Sequence, residues 1–212
     1  MRTLPLLLAA LLLSGCQSLY YKAQEKLGNE KRDILIDRVK KGRQDQEKAK
    51  EQYKTTLEAF QAVTGFTGGK TEEIYKKLKK EYDEAAERTK KVSDRIDSIE
   101  QVSGDMFSEW ETEIEAMGNR DLKAKSRVLM RDTRARYTPL IKKMKDVERR
   151  AKPVLKAFED QVLYIKHNLN AEAVSSLKMT VIKMDAEVTR LVADIEASTK
   201  EADEFLATLP TN

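Results

Sequence analysis

Between Leu19 and Leu209 apolar residues return at steps of three and four, and very little interrupts them. That period belongs to helices. Glycine weakens a helix and proline breaks one, so their positions mark where the chain can turn. Thr64-Gly65-Phe66-Thr67-Gly68-Gly69 is the clearest interruption, Gly118-Asn119 the second and Asn168-Leu169-Asn170 the weakest. They divide the chain into helices expected at about 19–63, 71–118, 121–168 and 171–208. At 1.5 Å per residue these are roughly 60–70 Å long, far beyond the usual ~11–12 residues, which points to coiled-coil packing.

The heptad steps are most regular in the fourth segment, through Val174, Leu177, Val181, Met184, Val188, Leu191, Ile195, Ser198, Ala202, Phe205 and Leu209. The second runs through Ala85, Thr89, Val92, Ile96, Ile99, Ser103, Met106 and Trp110. In the first, Leu35, Val39, Gly42, Gln46, Ala49, Tyr53, Thr56, Phe60 and Val63 share a face whose middle is small and polar. Folded back on the second segment, that middle is expected to face Ala85, Ala86 and Thr89. The third places Leu140, Met144, Val147, Ala151, Val154, Phe158 and Ile165 on one face, with Pro139 and Pro153 in the same stretch. Two prolines fourteen residues apart would bow a continuous helix to one side. Alternatively, Thr138-Pro139 would end one helix and start another as N-cap and first residue. Short turns make neighbours antiparallel, so the expected fold is all-α: an elongated antiparallel bundle or coiled coil of about four long helices.

Charge follows the same division. From residue 16 the four segments carry +3, −5, +9 and −4. Ile96–Asn119 holds seven acids and no Lys or Arg, and Arg120–Arg136 holds seven bases and two Asp. A turn at Gly118, the expected C-terminal cap, lays these stretches side by side. Such exposed pairs select a partner more than they add stability.

The first residues have another purpose. Met1-Arg2-Thr3 is a short basic start, and Leu4–Leu13 is a ten-residue apolar run, half of what a spanning helix needs. Its length suits the central region of a secretory signal peptide. Leu13-Ser14-Gly15-Cys16 follows and resembles a bacterial lipobox. The resemblance implies that residues 1–15 are removed and that Cys16 becomes a lipidated mature N-terminus, with palmitate-type acyl chains as the anchor. Gln17, rather than Asp, then favours the outer membrane, facing the periplasm. Residues 16–212 are expected to form one lipid-anchored domain in the cell envelope.

Three stretches, Lys31–Val39, Phe107-Ser108-Glu109-Trp110-Glu111 and Asp160–Ala171, together with the lipobox, resemble an uncharacterised bacterial lipoprotein family, domain of unknown function 2959. The resemblance covers essentially the whole chain. It supports the lipoprotein expectation and supplies no catalytic residues.

One Cys and one His remove most metal and nucleophile–base constellations, so no enzyme, cofactor or small-molecule substrate is expected. Gly68-Gly69-Lys70-Thr71 ends like a phosphate-binding loop, but Thr64 stands where that pattern needs Gly, and no strand precedes it. His167 is expected to donate to the last carbonyls of the third helix. Phe107 and Trp110 are expected to pack rather than to bind. Arg120–Lys156 carries fourteen bases against four acids. In an envelope protein this suggests an anionic lipid or acidic protein partner rather than nucleic acid, with Arg127, Arg131, Arg134, Arg136, Arg149 and Arg150 as candidate contacts. Phe66 is a candidate contact at the glycine-rich tip. The leading expectation is a non-catalytic scaffold, spacer or adaptor. The alternative is a binder of membrane surfaces or anionic ligands through the basic third helix.

Overall fold

The computed structural model describes residues 31–64, 71–168 and 170–209. Cys16, the leader, the start of the first helix and the Phe66 tip lie outside the described residues. Among the described residues there are four helices: α1 (Lys31–Val63), α2 (Thr71–Ala116), α3 (Arg120–His167) and α4 (Ala171–Ala207). Among the described residues there is no strand. α1 packs on α2 and α4, and α3 packs on the same two. The result is a square antiparallel bundle. At 1.5 Å per residue α3, with 48 residues, is about 72 Å long.

The heptad stripes form the core. All nine positions expected in α1 are buried, as are the seven expected in α3. In α4 the stripe from Leu177 to Phe205 is buried throughout. α2 departs only at Thr89 and Trp110, which are half-buried. Two apolar clusters result. One surrounds the stacked rings of Tyr53, Phe60 and Phe158. The other gathers Leu35, Ile99, Phe107, Leu140 and Phe205. Near their junction Ser198 Oγ donates to Gln46 Oε1 at 3.0 Å, with both residues fully enclosed. Gln46 Nε2 is buried without a hydrogen-bond partner. A buried polar bond of this kind favours one register of α1 against α4.

The structure decides one alternative and corrects three local expectations. α3 is continuous through Pro139 and Pro153, as the first reading expected, and the break at Pro139 does not occur. Thr138 lies inside it and returns its hydroxyl to the Arg134 carbonyl at 2.8 Å, so it is not an N-cap. Gly42 does not meet Ala85, Ala86 and Thr89; its nearest neighbours are Ile99, Arg95 and Met144. Tyr53 takes the Thr89 site instead, with its hydroxyl 2.7 Å from Thr89 Oγ1. At the Gly42 and Tyr53 levels a large side chain thus faces a small one, which fills space better than small against small. Gly118 is not in the left-handed conformation of a glycine cap. Asn119 organises that turn, its Oδ1 accepting from the amides of Asp121 and Leu122 at 3.0 Å. Finally, Asn168 rather than His167 satisfies the last carbonyls of α3. Its backbone N–H reaches Tyr164 and Ile165, and its side-chain amide reaches Tyr164 at 2.9 Å.

Candidate functional site: the basic third helix

α3 is amphipathic, and its basic residues lie mainly away from the bundle axis. Arg127, Arg131 and Arg134 recur at steps of four and three, and Arg149 follows Arg131 by five helical turns. These four share an outward face. Arg150 turns toward α4, and Arg136 falls on another side. The six arginines therefore form a line along the rod, about 34 Å from Arg127 to Arg150, rather than one cluster.

Most of them are already occupied. Arg127 and Lys123 both hold Glu115 of α2, at 2.5 and 2.9 Å. Hydrogen bonds from Arg127 and then Lys123 lower the pKa of Glu115 below the ordinary carboxylate value. Arg131 pairs with Asp132 on its own helix at 3.3 Å. The Arg134 guanidinium lies over the Phe107 ring, 4.8 Å from its centroid. Arg149 bonds Asp146 at 2.7 Å, and Arg150 is ion-paired with Asp194 of α4. Arg136 is exposed. A cleft of about 290 Å³ between α3 and α4 brings Lys143, Arg149 and Arg150 against Asp146, Glu187 and Asp194. Three bases balance three acids there, which is poor chemistry for selecting an anion.

The acidic and basic stretches around Gly118 do lie side by side, but few of their charges meet. Glu115 is the acid of Ile96–Asn119 that pairs with a base of Arg120–Arg136. Glu109 pairs with Lys31 of α1 at 2.7 Å, and Glu100 with Lys145 further along α3 at 2.5 Å. Other inter-helix pairs join Asp45 to Arg95, Arg43 to Asp203 and Lys50 to Glu196. Complementarity is thus spread over all four contacts. Block charge alone does not reveal this, because each partner depends on register.

Phe107 and Trp110 pack as expected. Phe107 is buried, edge-on to Tyr137 at 5.8 Å, and the half-buried Trp110 donates to Ser126 at 2.9 Å. His167 is exposed at the end of α3. Among the described residues no group of His, Cys, Asp and Glu has a metal-binding arrangement. Nor is any described helix long and apolar enough to cross a membrane.

The family model described as Protein of unknown function (DUF2959) matches residues 20–209. No curated protein and no solved structure matches the chain. The match spans most of the sequence, and the chain belongs to this family.

Proposed function

We propose that this protein is a non-catalytic scaffold, spacer or adaptor of the cell envelope, held on the outer membrane by lipid at Cys16 and facing the periplasm. The observation that carries the proposal is which end of the bundle holds the first described residues of α1. The described part of α1 starts at Lys31, at the level of Glu109, while α1 and α2 are joined at the opposite end, after Val63 and before Thr71. A lipid at Cys16 would hold one end of the rod, and α1 would carry the other end about 50 Å away over its 33 residues. The lipobox and the apolar leader support the anchor. Two or more acyl chains suffice for stable attachment.

Binding of an anionic surface along α3 is the second proposal. It draws on the outward arginine line, in which Arg131 and Arg149 expose 74% and 78% of their side chains. The intrahelical and interhelical pairs count against it, because each must be broken or shared.

Fractionation of cells expressing Cys16→Ser tests the first proposal. The variant should leave the membrane fraction or accumulate unprocessed. A processed Cys16→Ser protein still bound to membranes would remove the lipid from the account. Binding of Arg131→Glu/Arg149→Glu protein to anionic vesicles tests the second. Unchanged binding would exclude the arginine line.

A further inference from the structure

Of the large apolar side chains left exposed, Leu163, Tyr164, Met179 and Ile182 gather at the α3–α4 end of the bundle, opposite the start of α1 at Lys31. Met179 and Ile182 are 67% and 59% exposed and lie across α4 from the buried stripe of Leu177, Val181 and Met184. The Arg150–Asp194 ion pair fixes their level. Fifteen residues on from Arg150 and fifteen back from Asp194 bring Met179 beside Ile165. Tyr164, about four helical turns beyond Arg150, lies near the α4 side of α3 and so next to Met179. The charges around this apolar centre are unmatched. Lys178 and Lys183 bracket Met179 and Ile182, and Lys166 stands near the end of α3. All three are exposed and make no ion pair among the described residues. Among the described side chains, the acids here are held elsewhere. Lys156 takes Glu159 and Asp160 at 2.9 and 2.8 Å, Arg190 takes Glu187 at 2.7 Å, and Asp185 accepts from Gln61 at 3.1 Å.

We propose that this end of the α3–α4 face docks on an anionic lipid surface, with Met179 and Ile182 entering the headgroup boundary and Lys178 and Lys183 meeting lipid phosphates. Charge identifies the occupant. Unmatched lysines around an apolar centre, spread over the outer faces of two helices, suit a sheet of negative headgroups. A lysine stem can lie along the apolar side chains while its ammonium reaches a phosphate. Tyr164 carries a ring and a hydroxyl suited to the same boundary. Along α4 the face continues through Ala186, Thr189 and Ala193, which are exposed and uncharged, so no charge there opposes close approach. A second copy would bring the same unmatched lysines on its own patch and be repelled. The site is separate from the arginine line of α3, where Arg127, Arg131, Arg149 and Arg150 are already paired. The inference does not rest on the lipid at Cys16. Together with that lipid, contacts at both ends would lay the rod along the bilayer instead of standing it upright.

Vesicle titration of the full Cys16→Ser chain tests this. Ala186→Cys on the proposed face, or Lys80→Cys on the diagonally placed α2, supplies one thiol for an environment-sensitive dye. Phosphatidylglycerol vesicles should raise the emission at 186 about two-fold or more as the dye leaves water, and leave 80 unchanged. Phosphatidylcholine vesicles should raise neither. Lys178→Glu/Lys183→Glu should require about 30-fold more lipid for the same response. Met179→Ser/Ile182→Ser should abolish it. Both variants should melt as the parent does, because these four side chains are exposed. No rise at 186, equal rises at 186 and 80, or a rise that both variants keep would overturn the inference. An equal rise with phosphatidylcholine would assign the response to the apolar leader, and a rise with protein concentration alone would assign the face to a second copy. Either result also overturns it.

Discussion

Gly42 and Gly104 show how much a residue's role depends on what faces it. Both lie inside helices, where glycine costs roughly 0.5–1 kcal/mol relative to alanine. Gly104 has open space where a Cβ would stand, so Gly104→Ala should raise stability by about that amount. A Cβ on Gly42 would meet Ile99 at 3.0 Å and Arg95 at 3.2 Å. Gly42→Leu should therefore lower stability by about 1–3 kcal/mol through overpacking. Chemical denaturation of the two variants would check the contrast, and similar effects would contradict this packing. The heptad marks Gly42 as a core position, but it does not say which residues face it. That depends on the register between α1 and α2, which packing of Tyr53 near Thr89 helps to fix.

Tyr53 also predicts a pH effect. Burial is the main reason its phenol pKa rises from 10.0 to about 12, with the Thr89 hydrogen bond opposing the shift. A raised folded-state pKa contributes stability that is complete below the unfolded value and is lost as pH rises through the folded one. Stability should therefore fall between about pH 10 and 12. Tyr53→Phe should make that fall shallower while costing about 1 kcal/mol at neutral pH through the lost hydrogen bond. Melting curves of both proteins across this range would test it, and parallel curves would contradict it.

At the scale of elements, the helices and their buried faces were legible because each stripe keeps its period over many turns. Their ends were less legible, since a cap depends on backbone angles that residue type only biases. Asn119 accepts two amides where Gly118 was expected to act. Asn119→Ala should cost about 1 kcal/mol, whereas Gly118→Ala should be neutral or slightly stabilising, because no atom lies within 4 Å of the added Cβ. The prolines left two readings open, and the structure takes the continuous one. Proline is costly inside a helix, yet α3 continues through both because the apolar stripe from Leu140 to Ile165 is buried as one unit. The cost is outweighed rather than absent. Pro153 is exposed, so Pro153→Ala should stabilise the bundle by up to about 3 kcal/mol, read as a higher denaturation midpoint. No gain would mean that the bundle depends on a bend at this proline.

At the scale of the whole molecule, the all-α bundle follows from the sequence because four long amphipathic helices have few other ways to bury their stripes. The basic third helix was legible as a charge pattern but not as a site. Its arginines find Glu115, Phe107, Asp132, Asp146 and Asp194, and these partners come from three different helices. The proposed function turns on the proposed lipid at Cys16, which would convert a free rod into one fixed at a membrane. Intact-mass measurement of the protein extracted from membranes tests that most directly. The account predicts a chain beginning at residue 16 and heavier than its polypeptide by a diacylglyceryl group and an acyl chain. A mature chain with the mass of bare polypeptide, or one that retains residues 1–15, would contradict it.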